Sequence, residues 1–412
     1  MRDTEVVHPG VQHSGNLASA LDQADRLLSL TTRLQLGRDP KTPWSWILRS
    51  ERGRSLFSRR MAENMNDNRI TRLDTWSEPL ERLAHGRISH SGSQRLSYIA
   101  STHFQRRAAR QIHSDARVVI GTDCGSSMLF EQIRKHHPEV LRVLDASHPP
   151  PFAVQRLLAE DAATLGLDAR AYDDYRTPDL RSDAAAMREM ELADRVLVAS
   201  RFSALLYEAA GVPRTKLRVV PYGAPAVPES LTATRRRDCL QVVFVGAVSE
   251  RKGISILLET MAELERRRVP VRLDIVGKIS AEYQFPAFLP ANVELHNSVP
   301  KAELVRLMSR AHILVLPSMC EGFGRVLLEA LSLGTGLVST TTSGAPDLLS
   351  RSPDAPIWIL PTETRAERLP DLLEKLAEKA LASEIDPERA RAAAREWSID
   401  RYIRALDAAT SC

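Results

Sequence analysis

"HILVLPSMCEGFGRVLLEALSLG", residues 312–334, runs from apolar β-branched residues into a turn holding two glycines and then into an apolar, helix-forming stretch ending at Gly334. Residues 312–318 read as a buried strand, 319–324 as the turn at its carboxyl end and 325–334 as a helix. In an open α/β sheet such a turn is where ligands bind. A helix beginning near Gly322 would present unpaired N–H groups and the positive end of its dipole, which suits a phosphate. Gly322 and Gly324 carry no side chain, so a ligand can approach their backbone closely.

The same alternation extends outward. "LQVVFVG" (240–246), "VRLDIVG" (271–277), "VELHNSV" (293–299), "GLVSTTT" (336–342) and "PIWILP" (356–361) read as further strands, most of them separated by segments of helical period such as Leu257, Met261 and Leu264. The first half offers "TEVVHPG", "ARVVIGTD", "VLRVLDAS", "RVLVAS" and "LRVVPYG" as strands. This predicts two open α/β domains, with a boundary near "PYGAPAVPES" (221–230), where prolines and small residues interrupt the pattern. The expected units are residues 1–225, 226–395 and a separate amphipathic tail helix, 396–412, after a break at Ser398. Internal repeats and low-complexity segments are absent.

With 412 residues, 43% of them hydrophobic, the chain can bury large cores. A formal charge of +4 from 56 basic and 52 acidic residues gives no global argument for nucleic acid. Cys124, Cys239, Cys320 and Cys412 are too scattered for a disulfide framework or a zinc ribbon and fit free thiols in a reducing compartment. The start, "MRDTEVVHPG", lacks a basic region followed by an apolar one, and no stretch reaches about 18 apolar residues. The expectation is a cytoplasmic protein, with peripheral membrane contact open.

Glu321 and Glu329 stand eight positions apart, about 12 Å if all of that stretch is helical. That is roughly the span of a sugar nucleotide from pyrophosphate to ribose. A helix-terminal acid plus an exposed helix glutamate is the plainer account of the same pair. Lys252 lies in a turn before Gly253 and a helix, a place for a cation on a phosphate. "HPGVQHSGNLASAL" (8–21) sets His13, Ser14, Gly15 and Asn16 at a strand-to-helix turn of the first domain.

Together these segments resemble the retaining glycosyltransferases of family 4, which have the GT-B fold: two Rossmann-like, doubly wound domains facing a central cleft. The resemblance is carried by ordered blocks: "HSGNLASAL", "ADRVLVASRFS", "GVPRTKLRVVPYG", "FVGAVSERKG", "DIVGK", the 314–349 stretch with its E-x7-E spacing, and "EWSIDRYI". It implies that Glu321 contacts the donor sugar near the reacting centre and that Glu329 holds the nucleotide ribose. Lys252 would sit on the donor diphosphate, Gly15 in the first-domain loop closing over it, and His148 of "LDASHPPP" against the donor sugar. Gly322, Phe323 and Gly324 complete the donor turn. The tail helix would cross back to the first domain, and the cleft would open and close. No divalent metal and no cofactor is implied beyond the nucleotide-diphosphate sugar as co-substrate; no Asp-x-Asp turn and no His/Cys set with ligand spacing stands in the sequence.

Two departures bear on the site. Where many members have an arginine after the glycine of "VGR", Ala247 stands here, leaving Arg251 or Arg325 as substitutes; "VGKIS" puts Lys278 where a small or acidic residue is usual. The implied acceptor is a saccharide or lipid-linked glycan on the first domain. There residues 33–60 set arginines beside Trp44, Trp46, Ile47, Leu48, Leu56 and Phe57, a composition fitting an anionic membrane surface, a lipid-linked pyrophosphate or a solvated arginine face over a buried apolar one. A nucleotide-sugar epimerase, a phosphorylase and a catalytically silent sugar-nucleotide-binding protein fit the same architecture. A dinucleotide oxidoreductase and a P-loop enzyme do not, since neither glycine signature is present.

Overall fold

The computed structural model describes residues 2–9, 14–33, 69–73, 90–123, 125–169, 172, 180–226, 234–280, 283–284 and 286–411. His13, Cys124, Cys412 and the arginine-rich segment beyond Arg33 lie outside the described residues.

The first sheet contains β1 (Thr4–Val7), β2 (Leu27–Thr32), β3 (Ile70–Arg72), β4 (Val118–Thr122), β5 (Leu141–Ala146), β6 (Arg195–Val198) and β7 (Leu217–Val219), in spatial order β3-β2-β1-β4-β5-β6-β7. Every pairing is parallel. Its helices are α1 (Ser14–Gln23), α2 (His90–Ala109), α3 (Ser127–His136), α4 (Pro151–Leu165), α5 (Leu180–Leu192) and α6 (Arg201–Ala209).

The second sheet contains β8 (Leu240–Val245), β9 (Val271–Val276), β10 (Val293–His296), β11 (Ile313–Leu316), β12 (Gly336–Thr340) and β13 (Ile357–Leu360), again all parallel, in order β10-β9-β8-β11-β12-β13. It is wound with α7 (Ile254–Arg266), α8 (Lys301–Arg310), α9 (Arg325–Ser332), α10 (Ala345–Arg351), α11 (Arg365–Leu381) and α12 (Pro387–Arg395). Central parallel strands are covered on both faces, which is why they read as unbroken apolar runs. Val242, Val243, Phe244, Ile313, Leu314 and Val315 are all 0% exposed. In both sheets the winding reverses beside the first strand, between β1 and β4 and between β8 and β11, and the crevices that hold ligands open at such reversals.

The last helix, α13 (Ile399–Thr410), starts at the Ser398 cap and packs on α1, placing Tyr402, Leu406 and Ala409 in one apolar cluster with Leu17, Leu21 and Leu27. Arg195 Nη1 ties down its end, donating to the carbonyls of Ala409 at 2.8 Å and Ser411 at 2.6 Å. Beside it, the two chain crossings between the sheets touch: Ala224 N–H donates to Trp397 O at 2.6 Å, and a Cβ on Gly223 would lie 2.8 Å from Ile399 Cα.

Two features depart from the sequence expectations. Strands β2 and β3 were not anticipated. "LLSLTT" follows the α1 pattern without a glycine or proline, and the break is made by Asp25, whose φ of 53° turns the chain. Helix α9 begins at Arg325, not near Gly322, because Gly324 adopts a φ of 86° as its cap. Glu329 is therefore in the second turn of α9 while Glu321 precedes the helix, and the eight-residue spacing is part turn, part helix.

Candidate active site

The reversal between β8 and β11 brings together two turns distant in sequence. After β8 a short 3₁₀ turn, Glu250–Lys252, ends at Gly253, whose φ of 75° favours glycine and whose Cβ would come within 3.0 Å of the Pro317 carbonyl carbon. This close approach seats Lys252 against the turn that follows β11. Lys252 Nζ donates to Glu321 Oε1. Arg251 Nη1 lies 3.6 Å from the same oxygen and donates to Cys320 O at 2.9 Å. Backbone bonds brace both turns: Met319 N–H donates to Arg251 O at 2.8 Å and Glu321 N–H to Thr342 O at 2.9 Å. Burial raises the pKa of Glu321, which is 7% exposed, but the charges of Lys252 and Arg251 outweigh it and hold the carboxyl below its ordinary 4.5. One carboxylate between two cations leaves a net positive charge at the end of the sheet.

The first domain supplies the opposite wall. Asp123, at the end of β4, accepts from the His148 backbone N–H at 3.1 Å and from Ser147 Oγ at 3.2 Å, with His148 Nδ1 3.5 Å away. His148 Nδ1 is also 2.8 Å from Ser147 Oγ, and its ring stays 66% exposed. Asp123 thus orients His148. The sequence did not single it out, because the β4–β5 pairing that joins the two residues is non-local; its only signal was an acid at a strand's carboxyl end.

Between the walls lies Gly322. Its carbonyl accepts from Ser200 Oγ at 2.6 Å and Ser203 Oγ at 2.9 Å, and a Cβ there would sit 3.5 Å from His148 Cα as well as against the Ser147 carbonyl. The missing side chain therefore admits the backbone of the first domain. The Phe323 ring is 1% exposed and packs edge-on to Tyr222 at 5.9 Å and against Trp397 at 6.1 Å, bracing the crossing between domains. Gly324 serves the turn, through its positive φ.

Gly15 lies in α1, and among the described residues no atom lies within 4 Å of where a Cβ would stand. Its neighbour Asn16, with the side-chain oxygen turned toward Arg325, accepts from Nη1 at 3.1 Å and Nη2 at 2.9 Å. The Arg325 guanidinium also lies over the Tyr222 ring, 5.8 Å from its centroid, so this arginine bridges the domains. Half-buried Glu329 has no hydrogen-bonding or ionic side-chain partner among the described residues, and Ala247 is exposed at the end of β8. At β9 and β10 the fold assembles a set that the sequence pattern did not disclose: Asp274, Glu294 and His296, whose ligand-type atoms lie within 4.8 Å of one another. Cys239 and Cys320 are buried and form no disulfide among the described residues. Among the described residues no helix is long and apolar enough to cross a membrane.

Two parallel doubly wound sheets with facing strand ends define the GT-B fold, and known proteins agree. Residues 234–397 match the family model described as glycosyl transferases group 1. A D-inositol 3-phosphate glycosyltransferase of Segniliparus rotundus is 35% identical over 114 residues, 26% of this chain and 25% of that protein, so the chain spans about a quarter of that relative's length. The lipopolysaccharide outer core galactosyltransferase WaaB, in its apo form, superposes with a TM-score of 0.63 over 99% of both chains at 14% identity. Anabaena HepE, solved with UDP and glucose, gives 0.59 over 98% of both chains at 12% identity. Residues 234–397 are thus similar to the glycosyl transferases group 1, and the whole chain has the GT-B fold.

Proposed function

We propose that this protein transfers a glycosyl group from a nucleotide-diphosphate sugar to an acceptor hydroxyl, with retention at the anomeric carbon. The observation that carries the reading is the Lys252–Glu321–Arg251 cluster at the sheet reversal, set beside His148 across Gly322. In the reaction the bond from the anomeric carbon to the diphosphate oxygen breaks, the acceptor oxygen bonds that carbon on the same face, and its proton passes to the departing diphosphate. Lys252 and Arg251 stabilise the charge gathering on the leaving group, where preorganised cations lower the barrier most. Glu321 orients the donor sugar beside them, and Glu329, the carboxylate left without a protein partner among the described residues, takes the ribose hydroxyls. His148, held by Asp123, faces the sugar from the first domain. Arg251 and Arg325 bring the positive charge that Ala247 lacks, and the reading calls for no divalent metal. The acceptor, a saccharide or lipid-linked glycan, would approach from the first domain.

Thermal melts with UDP-, GDP-, ADP- and dTDP-sugars and the free diphosphates, with and without magnesium, test this. One nucleotide series should stabilise the protein, by roughly 2.7 kcal/mol at about 100 times its dissociation constant, without needing the metal. The effect should vanish in Glu329→Ala. Release of nucleoside diphosphate only when an acceptor is present separates transfer from epimerisation and from silent binding. No stabilisation by any nucleotide would overturn the reading.

A further inference from the structure

The second domain carries another cleft at the opposite edge of its sheet. Residues 235–237 precede β8, His312 precedes β11, and Gly334 lies between α9 and β12, so all mark the amino ends of the strands, while the cluster around Glu321 sits at the carboxyl ends. The length of β8, six residues, puts the two edges roughly 20 Å apart.

This cleft has a volume of about 360 Å³. Arg235, Arg236, Arg237 and Arg391 line it, and among the described residues no carboxylate does. Arg235 Nη2 donates to Gly334 O at 2.5 Å, and the Arg391 guanidinium crowds the same glycine, whose Cβ would lie 3.0 Å from Arg391 Cζ. A helix C-terminus favours a nearby cation, which accounts for one arginine at Gly334. It does not account for four. Arg236 is paired with Asp238 and Arg391 with Glu388, but among the described residues Arg237 is exposed without a partner and Arg235 Nη1 is buried without an acceptor. A buried N–H of a charged group left unpaired is costly, and a bound oxyanion would satisfy it with a charge-assisted bond. His312 adds no charge: its Nδ1 accepts from Gln241 N–H at 3.0 Å, and burial, helped by Arg235, pushes its pKa down to about 4. Burial and Arg391 lower Arg235 as well, to about 10, and it still enters neutral solution as a cation.

We propose that this cleft is a binding site for a phosphate-type oxyanion, a pyrophosphate or a phosphate monoester, gripped by Arg235, Arg237 and Arg391 with the hydroxyls of Thr234 and Ser383 beside them. Planar guanidinium forks match phosphate oxygens pairwise, and the volume accommodates a small phosphorylated molecule.

Calorimetric titration of the full chain with sodium pyrophosphate at constant ionic strength tests the proposal. The Lys252→Ala background weakens binding in the donor cleft, so the rear site dominates the titration. Saturable binding is expected there, and it should weaken about a hundredfold in Lys252→Ala/Arg237→Gln/Arg391→Gln, about tenfold for each charge-assisted hydrogen-bonding group removed. The single variant Arg237→Gln, at an exposed position, should fold normally and bind about tenfold more weakly. Glucose 6-phosphate in a parallel titration separates the two ligand types: tighter binding than pyrophosphate marks a monoester site, weaker a diphosphate site. An absence of saturable binding in Lys252→Ala, or equal affinity in the triple variant, overturns the proposal, and neither outcome touches the donor-cleft reading.

Discussion

Two buried titratable groups, Glu321 and His312, are held in opposite states, and this fixes how acid acts on the protein. His312 is kept neutral, with its pKa at about 4 against an ordinary 6.5. Between those values the unfolded chain binds a proton that the folded chain refuses, so stability falls as pH drops below 6.5 and this contribution levels off near 4. The full swing is about 3 kcal/mol. Glu321 acts later: its carboxyl lies below 4.5, so its contribution is complete above that pH and is lost as pH falls through the folded value. Denaturant midpoints measured across this range should show a shallower slope between 6.5 and 4 in His312→Gln, whose side-chain oxygen can still accept from Gln241 N–H. An unchanged slope would show that His312 is not the group responsible. Asp123 supports a second prediction. Asp123→Asn should leave nucleotide affinity near wild type and lower turnover about tenfold, an effect near 1.4 kcal/mol on the barrier, by loosening His148. Equal losses in affinity and turnover would argue against a positioning role. Lys252 and Glu321 stand out in the sequence because each is a charge at a glycine turn, and the fold brings the two together. Asp123 does not, since its partner arrives only through sheet pairing, and neither does the inward turn of Phe323, which depends on Tyr222 and Trp397.

Among the elements, the strands of the second sheet were the easiest to read, because burial on both faces leaves long apolar runs such as "LQVVFV" and "ILVL". "LLSLTT" carried no such mark. Its leucines suit a helix as well as a strand, and only its place beside β1 makes it β2. The helix boundary at Gly324 was missed for a local reason: a glycine pair shows that a turn is present but not which glycine takes the positive φ. The tail break at Ser398 was legible because a serine before an apolar periodic run is a helix-start signal, and here its side chain accepts from Arg401 N–H. Helix α13 then becomes part of the first domain's core. Leu406, 1% exposed and clustered with Leu17 and Leu21, should therefore carry a core penalty: Leu406→Ala is expected to lose about 2–5 kcal/mol in denaturant unfolding. A loss under about 0.5 kcal/mol, typical of a surface position, would mean the tail docks without contributing to that core.

Across the whole molecule, the two domains are joined by polar contacts that the sequence pattern could not reveal, because each pairs residues far apart in the chain. Gly322 O accepts from Ser200 and Ser203, Arg201 N–H donates to Asp347 at 2.9 Å, and Asp161 of α4 meets Arg365 at the start of α11 at 2.5 Å. The last is a buried ion pair, with side chains 4% and 3% exposed, and Tyr172 OH also donates to Asp161 at 2.6 Å. Such a pair gains little over a well-packed apolar substitute, because desolvation offsets most of its attraction, yet losing one partner strands the other charge. Asp161→Asn should therefore destabilise the chain by about 3–5 kcal/mol, while Asp161→Leu combined with Arg365→Met should recover most of the loss. The two outcomes distinguish an electrostatic latch from a packed interface. Recovery in the double variant means that burial holds the domains together and the charges set their register. If the double variant is as unstable as the single, the ion pair itself supplies the stability; a single variant within about 0.5 kcal/mol of wild type would show that Arg365 finds water at once and that this latch opens easily. The same measurement with a bound nucleotide sugar bears on closure, since a ligand gripped by both domains should narrow the gap between Asp161→Asn and wild type if it holds the cleft shut.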